Sequence, residues 1–282
     1  MSVSAAYPVD LAPRGFDRLR AWLTDVWVMT RRNLIHVRRE PMQLTDVTVQ
    51  PVLFTLMFVY VFGSAMVLPG GGAYKDFVIA GLLCLNLIMS APGTAVGLAS
   101  DVSTGVIDRL HTLPMSPTSI LVGRSLSDLL AAVICSAIVA LTGLAIGWHA
   151  TTSLLQVLAG FGVVLLFSYA FHWMAACLGL AVSGPESAEG IAFIAMIPLA
   201  FVSNVLVPAQ GMPAWLRTIA IWNPVSAVAS ACRELFGNPN PSALLHAWPM
   251  QHPVAASLIW SLAILAVCVP LAGHLYRRKT RR

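Results

Sequence analysis

The chain has 282 residues, 57% of them hydrophobic and only 10% charged, against about 25% charged in an ordinary soluble domain. Its formal net charge is +5, and its apolar residues fall in continuous blocks too long for one globular core. This patterning excludes a soluble enzyme, and also a transmembrane barrel, whose strands alternate in segments of about ten residues; it predicts an all-α membrane protein.

In chain order, residues 1–16 are polar and Pro-containing, which predicts a disordered tail rather than a cleavable signal. From Asp17 to Glu40, Leu19, Trp22, Leu23 and Val26 form an i, i+3, i+4, i+7 stripe, extended by Leu34 and Val37. Seven arginines lie between Arg14 and Arg39. With Trp22 and Trp27, this predicts an amphipathic helix in the headgroup plane, ended by Pro41. The tryptophans and the adjoining apolar run disfavour a nucleic-acid arm. A first span is expected at 47–66, with Pro51 in its first turns, then a turn at Gly70, Gly71 and Gly72. A second, at 77–99, is interrupted by Asn86, Ser90, Pro92 and Gly93. The third begins near Ile120 with Arg124 and Asp128 spaced i, i+4, a pair that neutralises itself, and its apolar part covers 129–147. The fourth, fifth and sixth spans are expected at 154–182, 189–207 and 254–276, before a basic tail at 277–282.

Two connecting segments are longer than a turn requires. Between spans 2 and 3, Val106, Leu110 and Leu113 share a helical face, Asp101, Ser103 and Asp108 lie elsewhere, and Pro114 stops the run. A short amphipathic helix that docks a soluble partner fits this pattern. So does an interfacial turn whose polar residues meet water. Between spans 5 and 6, residues 208–253 hold seven prolines and two apolar stretches, 212–216 and 227–235, each too short to cross. They predict a short re-entrant segment dipping into the outer leaflet.

Placing both termini in the cytoplasm leaves fourteen basic residues inside and only Lys75, Arg217 and Arg233 outside. The expectation is therefore six spans, N-in and C-in.

Enzyme chemistry finds no footing. The two lysines, Lys75 and Lys279, follow Tyr74 and Arg278, so no phosphate-cradling Gly-Lys pair exists. There is no GxSxG, and neither the five cysteines nor the seven histidines show metal-ligand spacing. His172, beside Trp173 within a span, reads as a hydrogen-bonded interior residue. No paired carboxylates lie at mid-membrane to bind a coupling ion, so a pump built this way would draw its energy from elsewhere.

The order of parts and several motifs carry a resemblance. The motifs are Pro41–Thr48 leading into Phe54–Gly63, Gly105-Val-Ile-Asp-Arg-Leu110 with Leu113-Pro114, and Gly190 onward to Phe201-Val-Ser-Asn-Val205. Met212-Pro-Ala-Trp-Leu216 with Trp222-Asn-Pro-Val-Ser226 completes them. Together they resemble the membrane subunit of ABC-2-type exporters, most of all the daunorubicin- and doxorubicin-resistance permease branch. The resemblance implies an ABC-2-type transmembrane domain over 17–276, acting as a homodimer or a related heterodimer. Two copies of a separate ATPase would bind ATP and Mg, so this chain would be no enzyme and hold no cofactor or metal. It further implies a coupling helix to that ATPase at Asp101, Gly105, Val106, Asp108, Arg109, Leu110, Leu113 and Pro114. A connecting helix would hold Trp22, Trp27, Arg31, Arg32, Arg38 and Arg39. A translocation path along spans 2 and 5 would hold Asn86, Ser90, Pro92, Gly93, Pro198, Ser203 and Asn204. Membrane lipids are expected partners, nucleic acid is not, and the expected location is a bacterial cytoplasmic membrane. The cargo would be an amphipathic drug or lipid. An ion-coupled carrier and a non-transport membrane scaffold are the alternatives.

Overall fold

The computed structural model describes residues 16–39, 41–105 and 117–279, and among these every regular element is helical. The α-helices are α1 (Phe16–Arg39), α2 (Pro41–Phe62), α3 (Tyr74–Ser103), α4 (Pro117–Ala145) and α5 (Leu154–Ala181). They continue as α6 (Pro185–Phe201), α7 (Ala214–Trp222), α8 (Pro224–Phe236), α9 (Trp248–Gln251) and α10 (Pro253–Lys279). Single 3-10 turns occupy Ala209–Gly211 and Pro241–Leu244.

Four helices, α3, α4, α5 and α10, are long and apolar enough to cross a membrane. The apolar part of α2, Val47–Phe62, is shorter. So is α6, whose 17 residues span about 25 Å.

Contacts between distant segments sort the bundle into two ends. At one end, the Tyr74 hydroxyl donates to the Leu206 carbonyl (3.0 Å), Lys75 Nζ to the Gly147 carbonyl (2.9 Å), and Trp148 Nε1 to Asn238 Oδ1 (2.9 Å). The start of α3, the end of α4 and the whole 202–252 segment therefore lie together. At the other end, Arg32 meets Asp101 (3.1 Å) and Lys279 Nζ donates to the Val182 carbonyl (2.9 Å). That end gathers α1, the end of α3, the α5–α6 turn and the end of α10.

The core is built around α3. Of its most apolar 18-residue stretch 83% is buried, against 22–39% for α4, α5 and α10, so α3 is solvated by protein where its neighbours present apolar faces outward. Small residues make this possible. Gly179 of α5 lies so close to the Ala95 backbone that a Cβ would have no room. Helix α6 packs on α3 through Ala188, Ala192, Met196 and Ala200, one residue per turn. Ile191, Ile194, Ile197 and Phe201 on its other faces stay exposed.

Several boundaries differ from the sequence expectation, each for a local reason. Helix α2 starts at Pro41, where a residue without an N–H suits the first turn, and not at 47. Pro51 is therefore interior, and its carbonyl accepts from the Thr55 hydroxyl (2.7 Å). Helix α6 starts at Pro185 and ends at Phe201, six residues short of the expected 207. There the Val202 N–H closes back onto the Pro198 carbonyl (2.8 Å) and the chain turns, so Ser203 and Asn204 lie beyond the helix. The turn at Gly70, Gly71 and Gly72 is present, with φ of 90°, 84° and 99°. All five cysteines are buried and free. His172 is an interior residue as expected: its Nδ1 lies 2.7 Å from the Ser168 carbonyl and its Nε2 lies 3.5 Å from the Ser90 hydroxyl.

Candidate functional site

Polar chemistry concentrates in three places along α3: its first turn, the stretch around Thr94, and its last turn.

Near the start of α3, α8 is wedged among α3, α5 and α10. Asn223 caps it, Oδ1 accepting from the Val225 N–H (2.9 Å), and Pro224 fills the first turn. Gly237 closes it in the left-handed conformation (φ 68°), where a side chain would also strike Thr151. Every residue from Val225 to Arg233 is buried, an environment suited to the run Val-Ser-Ala-Val-Ala-Ser-Ala-Cys.

Arg233, at the end of that run, is fully buried. Its Nε donates to the Phe77 carbonyl (3.0 Å), Nη1 to Asn204 Oδ1 (3.3 Å), and Nη2 to the Asn204 and Val205 carbonyls (both 2.9 Å). The guanidinium carbon sits 3.7 Å from the centre of the Phe77 ring. Among the described residues no carboxylate pairs with it. Carbonyls just past the end of α6, where the helix dipole is negative, take that role. A guanidinium stays charged inside proteins, and these carbonyls balance it. Asn204 is the hub of the cluster. Its N–H donates to the Ser226 hydroxyl (2.9 Å), and Nδ2 donates to Ser230 and Ser242 (2.8 Å each).

Beside Thr94, Arg124 and Asp128 of α4 face each other at 3.6 Å. Asp128 Oδ2 accepts from the Thr94 hydroxyl (2.8 Å) and Arg124 Nη2 donates to the Gly93 carbonyl (3.1 Å). Gly97 leaves the room the guanidinium occupies. The i, i+4 pair neutralises itself as the sequence suggests, and it also clamps α4 to α3.

At the last turn of α3, Asp101 binds Arg32 of α1. The helix closes at Thr104, and Gly105 (φ 68°) turns the chain away. Val106, Asp108, Arg109, Leu110, Leu113 and Pro114 lie outside the described residues. Helix α1 packs on α4 through Val26, Met29 and Thr30, whose hydroxyl donates to Val26 and Gly123 carbonyls (2.8 and 3.2 Å). Trp27 and Arg31 are exposed, Trp22 and Arg32 half-buried. Arg38 and Arg39 belong to the last turn of α1, with side chains outside the description.

The residues expected to line a path divide into two groups. Ser90, Gly93 and Pro198 are open, while Asn86, Pro92, Ser203 and Asn204 are buried. Asn86 Nδ2 is bound to its own helix at Leu82 (2.8 Å), and Asn204 serves Arg233. Arg233 was not singled out by sequence reasoning, which counted it only as an outside charge. The signal was the uncharged small-residue run before it, which has no exposed face to spare. Among the described residues no cluster of three or more His, Cys, Asp or Glu side chains could hold a metal.

Apolar helices of spanning length around a buried central helix define a multi-pass membrane protein. Residues 24–236 match the family model described as ABC-2 type transporter, and the chain belongs to that family. It is 33% identical over 267 residues to the "Daunorubicin resistance ABC transporter permease protein DrrB1" of Streptomyces coeruleorubidus, covering 95% of this chain and 89% of that relative. It is 25% identical over 286 residues to the "Probable doxorubicin resistance ABC transporter permease protein DrrC" of Mycobacterium tuberculosis, covering 99% of each. A "Putative transport permease ycf38" from Porphyra purpurea is 24% identical over 219 residues, 77% of this chain and 75% of its own. The likeness to the drug-resistance permease branch is thereby borne out, and the chain is a permease component of the ABC type.

Proposed function

We propose that this chain is the membrane subunit of an ATP-driven exporter that moves an amphipathic cargo, a drug or a lipid, outward from the cytoplasm or inner leaflet of a bacterial membrane. It crosses six times with both termini inside, and α7 and α8 form the re-entrant segment. Two copies of a separate ABC ATPase supply ATP and Mg, and the permease works as a dimer. The 101–114 segment seats in the ATPase, α1 is the connecting helix, and α3 and α6 border the path.

The observation that carries this reading is the Arg32–Asp101 ion pair, at 3.1 Å. It joins the basic helix α1 to the residue from which the 101–114 segment departs, at the end of the bundle that also holds the basic tail. A push delivered there reaches α3, which is packed against α2, α4, α5, α6 and α8. Packed interiors transmit such displacements rather than absorb them. The names of the relatives add anthracyclines as the first cargo to try.

The test is reconstitution with a candidate ABC ATPase, sought first among the neighbouring reading frames. Vesicles should accumulate doxorubicin on ATP addition, and the chain should co-purify with that ATPase. Accumulation driven instead by an imposed proton or sodium gradient, with ATP without effect, would overturn the reading in favour of a carrier.

A further inference from the structure

Arg233, carried by α8, binds two other stretches of chain: the first turn of α3 at Phe77, and the turn after α6 at Asn204 and Val205. We propose that Arg233 is a positioning residue for transport, riveting α8 and the outer ends of α3 and α6 into one body that moves without opening internally. This rests on the exporter reading, because α3 and α6 are the helices read as bordering the path.

The guanidinium is suited to the task. It directs planar donors at four acceptors on two segments other than its own, an arrangement that a single ammonium cannot reproduce. Parting any of these segments would strand a charge that, among the described residues, no carboxylate pairs with, in a place closed to water. The cluster is also tied redundantly. Asn204 holds Ser226, Ser230 and Ser242 at the same time, and the Tyr74 hydroxyl binds Leu206 in the same turn. A gate that opened in every cycle would have to break all of these together. The outward face of α6, with Ile191, Ile194, Ile197 and Phe201 exposed, carries no such ties. An outlet for cargo therefore lies outside the riveted body and not between α6 and α8.

Two substitutions separate a rivet from a latch that must open. Asn204→Asp places a carboxylate against Nη1, and Ser230 and Ser242 can turn their hydroxyls to donate to it, so the cluster becomes tighter. Arg233→Met removes the charge and all four bonds. Each variant is reconstituted with the partner ATPase, and doxorubicin transport per ATP hydrolysed is measured per inserted molecule. A rivet predicts that N204D melts higher and still transports, whereas R233M transports at least about fivefold less per ATP. A residue that only stabilises the fold would lower the amount of inserted protein and leave that ratio alone. Should R233M fail to insert, R233K, which keeps the charge but loses the fork, takes its place with the same expected loss. Loss of transport in well-folded N204D, with hydrolysis continuing, would overturn the proposal, and so would a wild-type ratio in the Arg233 variants.

Hydrogen exchange over residues 224–236 during ATP turnover tests the rivet without any cargo. Continued protection supports it, and exchange accelerated by turnover sinks it while leaving the exporter reading intact. If the wild type moves no doxorubicin yet 224–236 stays protected, the fault lies with the assumed cargo and the rivet stands.

Discussion

Arg32 and Asp101 are 69 positions apart in sequence, and Arg32 Nη2 meets Asp101 Oδ1 at 3.1 Å. The side chains are 39% and 21% exposed, so water screens the pair and its contribution to stability is about 0.2–1 kcal/mol. Its importance is geometric. It fixes α1 to the last turn of α3, where the segment read as the coupling helix begins. Arg32→Asp should therefore leave insertion and thermal stability nearly unchanged while lowering transport per ATP severalfold. Asp101→Arg should do the same, and the double exchange should recover much of the loss. The comparison to make is vesicle transport against hydrolysis for all four proteins. Equal ratios would show that the pair has no part in coupling.

Orientation has a direct test, because the contacts fix which loops share an end. Gly72 lies at the end holding Lys75 and Gly147, where a Cβ on it would collide with Pro239 of the 202–252 segment, while Val67 of the same loop is 91% exposed. His111 belongs to the segment that leaves from Asp101. A thiol placed at Val67 should react with a membrane-impermeant maleimide in intact cells, and one at His111 should react only after permeabilisation. All five native thiols are buried, so background labelling should be small. The reverse pattern would invert the topology.

The Arg124–Asp128 clamp makes a prediction about stability. With side chains 19% and 17% exposed, neither group can turn to water when its partner is removed. Asp128→Leu should cost about 1–3 kcal/mol, because it strands the guanidinium and leaves the Thr94 hydroxyl without its acceptor. Replacing both Arg124 and Asp128 by leucine should recover most of that loss, since an apolar pair of similar size carries no desolvation cost. A thiol-reactive fluorophore reads the melting temperatures through the buried cysteines. A double variant less stable than Asp128→Leu would contradict the argument.

The sequence made the apolar blocks, the N-terminal amphipathic helix and the glycine turn legible, because each depends on local periodicity or on φ. It also located α8 in outline, as the apolar stretch 227–235 too short to cross, while the Asn223 cap and Gly237 set its bounds. Two things were not legible. The end of α6 was misplaced because residues 202–207 are as apolar as a helix interior, while Pro198 and a backbone turn stop the helix sooner. The role of Arg233 was hidden because its partners are mostly main-chain carbonyls from residues 77, 204 and 205. Carbonyl acceptors have no sequence signature, whereas the Arg124–Asp128 pair, made of side chains one turn apart, was visible at once.

The last prediction concerns cargo. The open residues near the expected path are Ser90, Gly93 and Pro198, with Ile191, Ile194, Ile197 and Phe201 on the neighbouring face of α6. This surface is apolar with a hydroxyl and a bare stretch of backbone. Arg124 and Asp128, beside Gly93, neutralise each other, and the charges at the start of α6, Glu186 and Glu189, are acidic. A multiply charged anion would lose its hydration there and find no matching charges, a cost that grows with every unpaired group. A planar aromatic amphipath or an acylated lipid needs only apolar walls and a few hydrogen bonds. The exposed arginine and tryptophan of α1, Arg31 and Trp27, suit the inner headgroup layer from which such a molecule would enter. In vesicles containing the permease and its ATPase, hydrolysis should rise about twofold or more with doxorubicin or an anionic lipid. It should not respond to a neutral disaccharide. Gly93→Phe, which fills open space on α3 and meets no neighbour at its Cβ, should abolish the stimulation while leaving basal hydrolysis in place. Stimulation by a soluble, multiply charged oligosaccharide and by nothing amphipathic would refute this account of the surface.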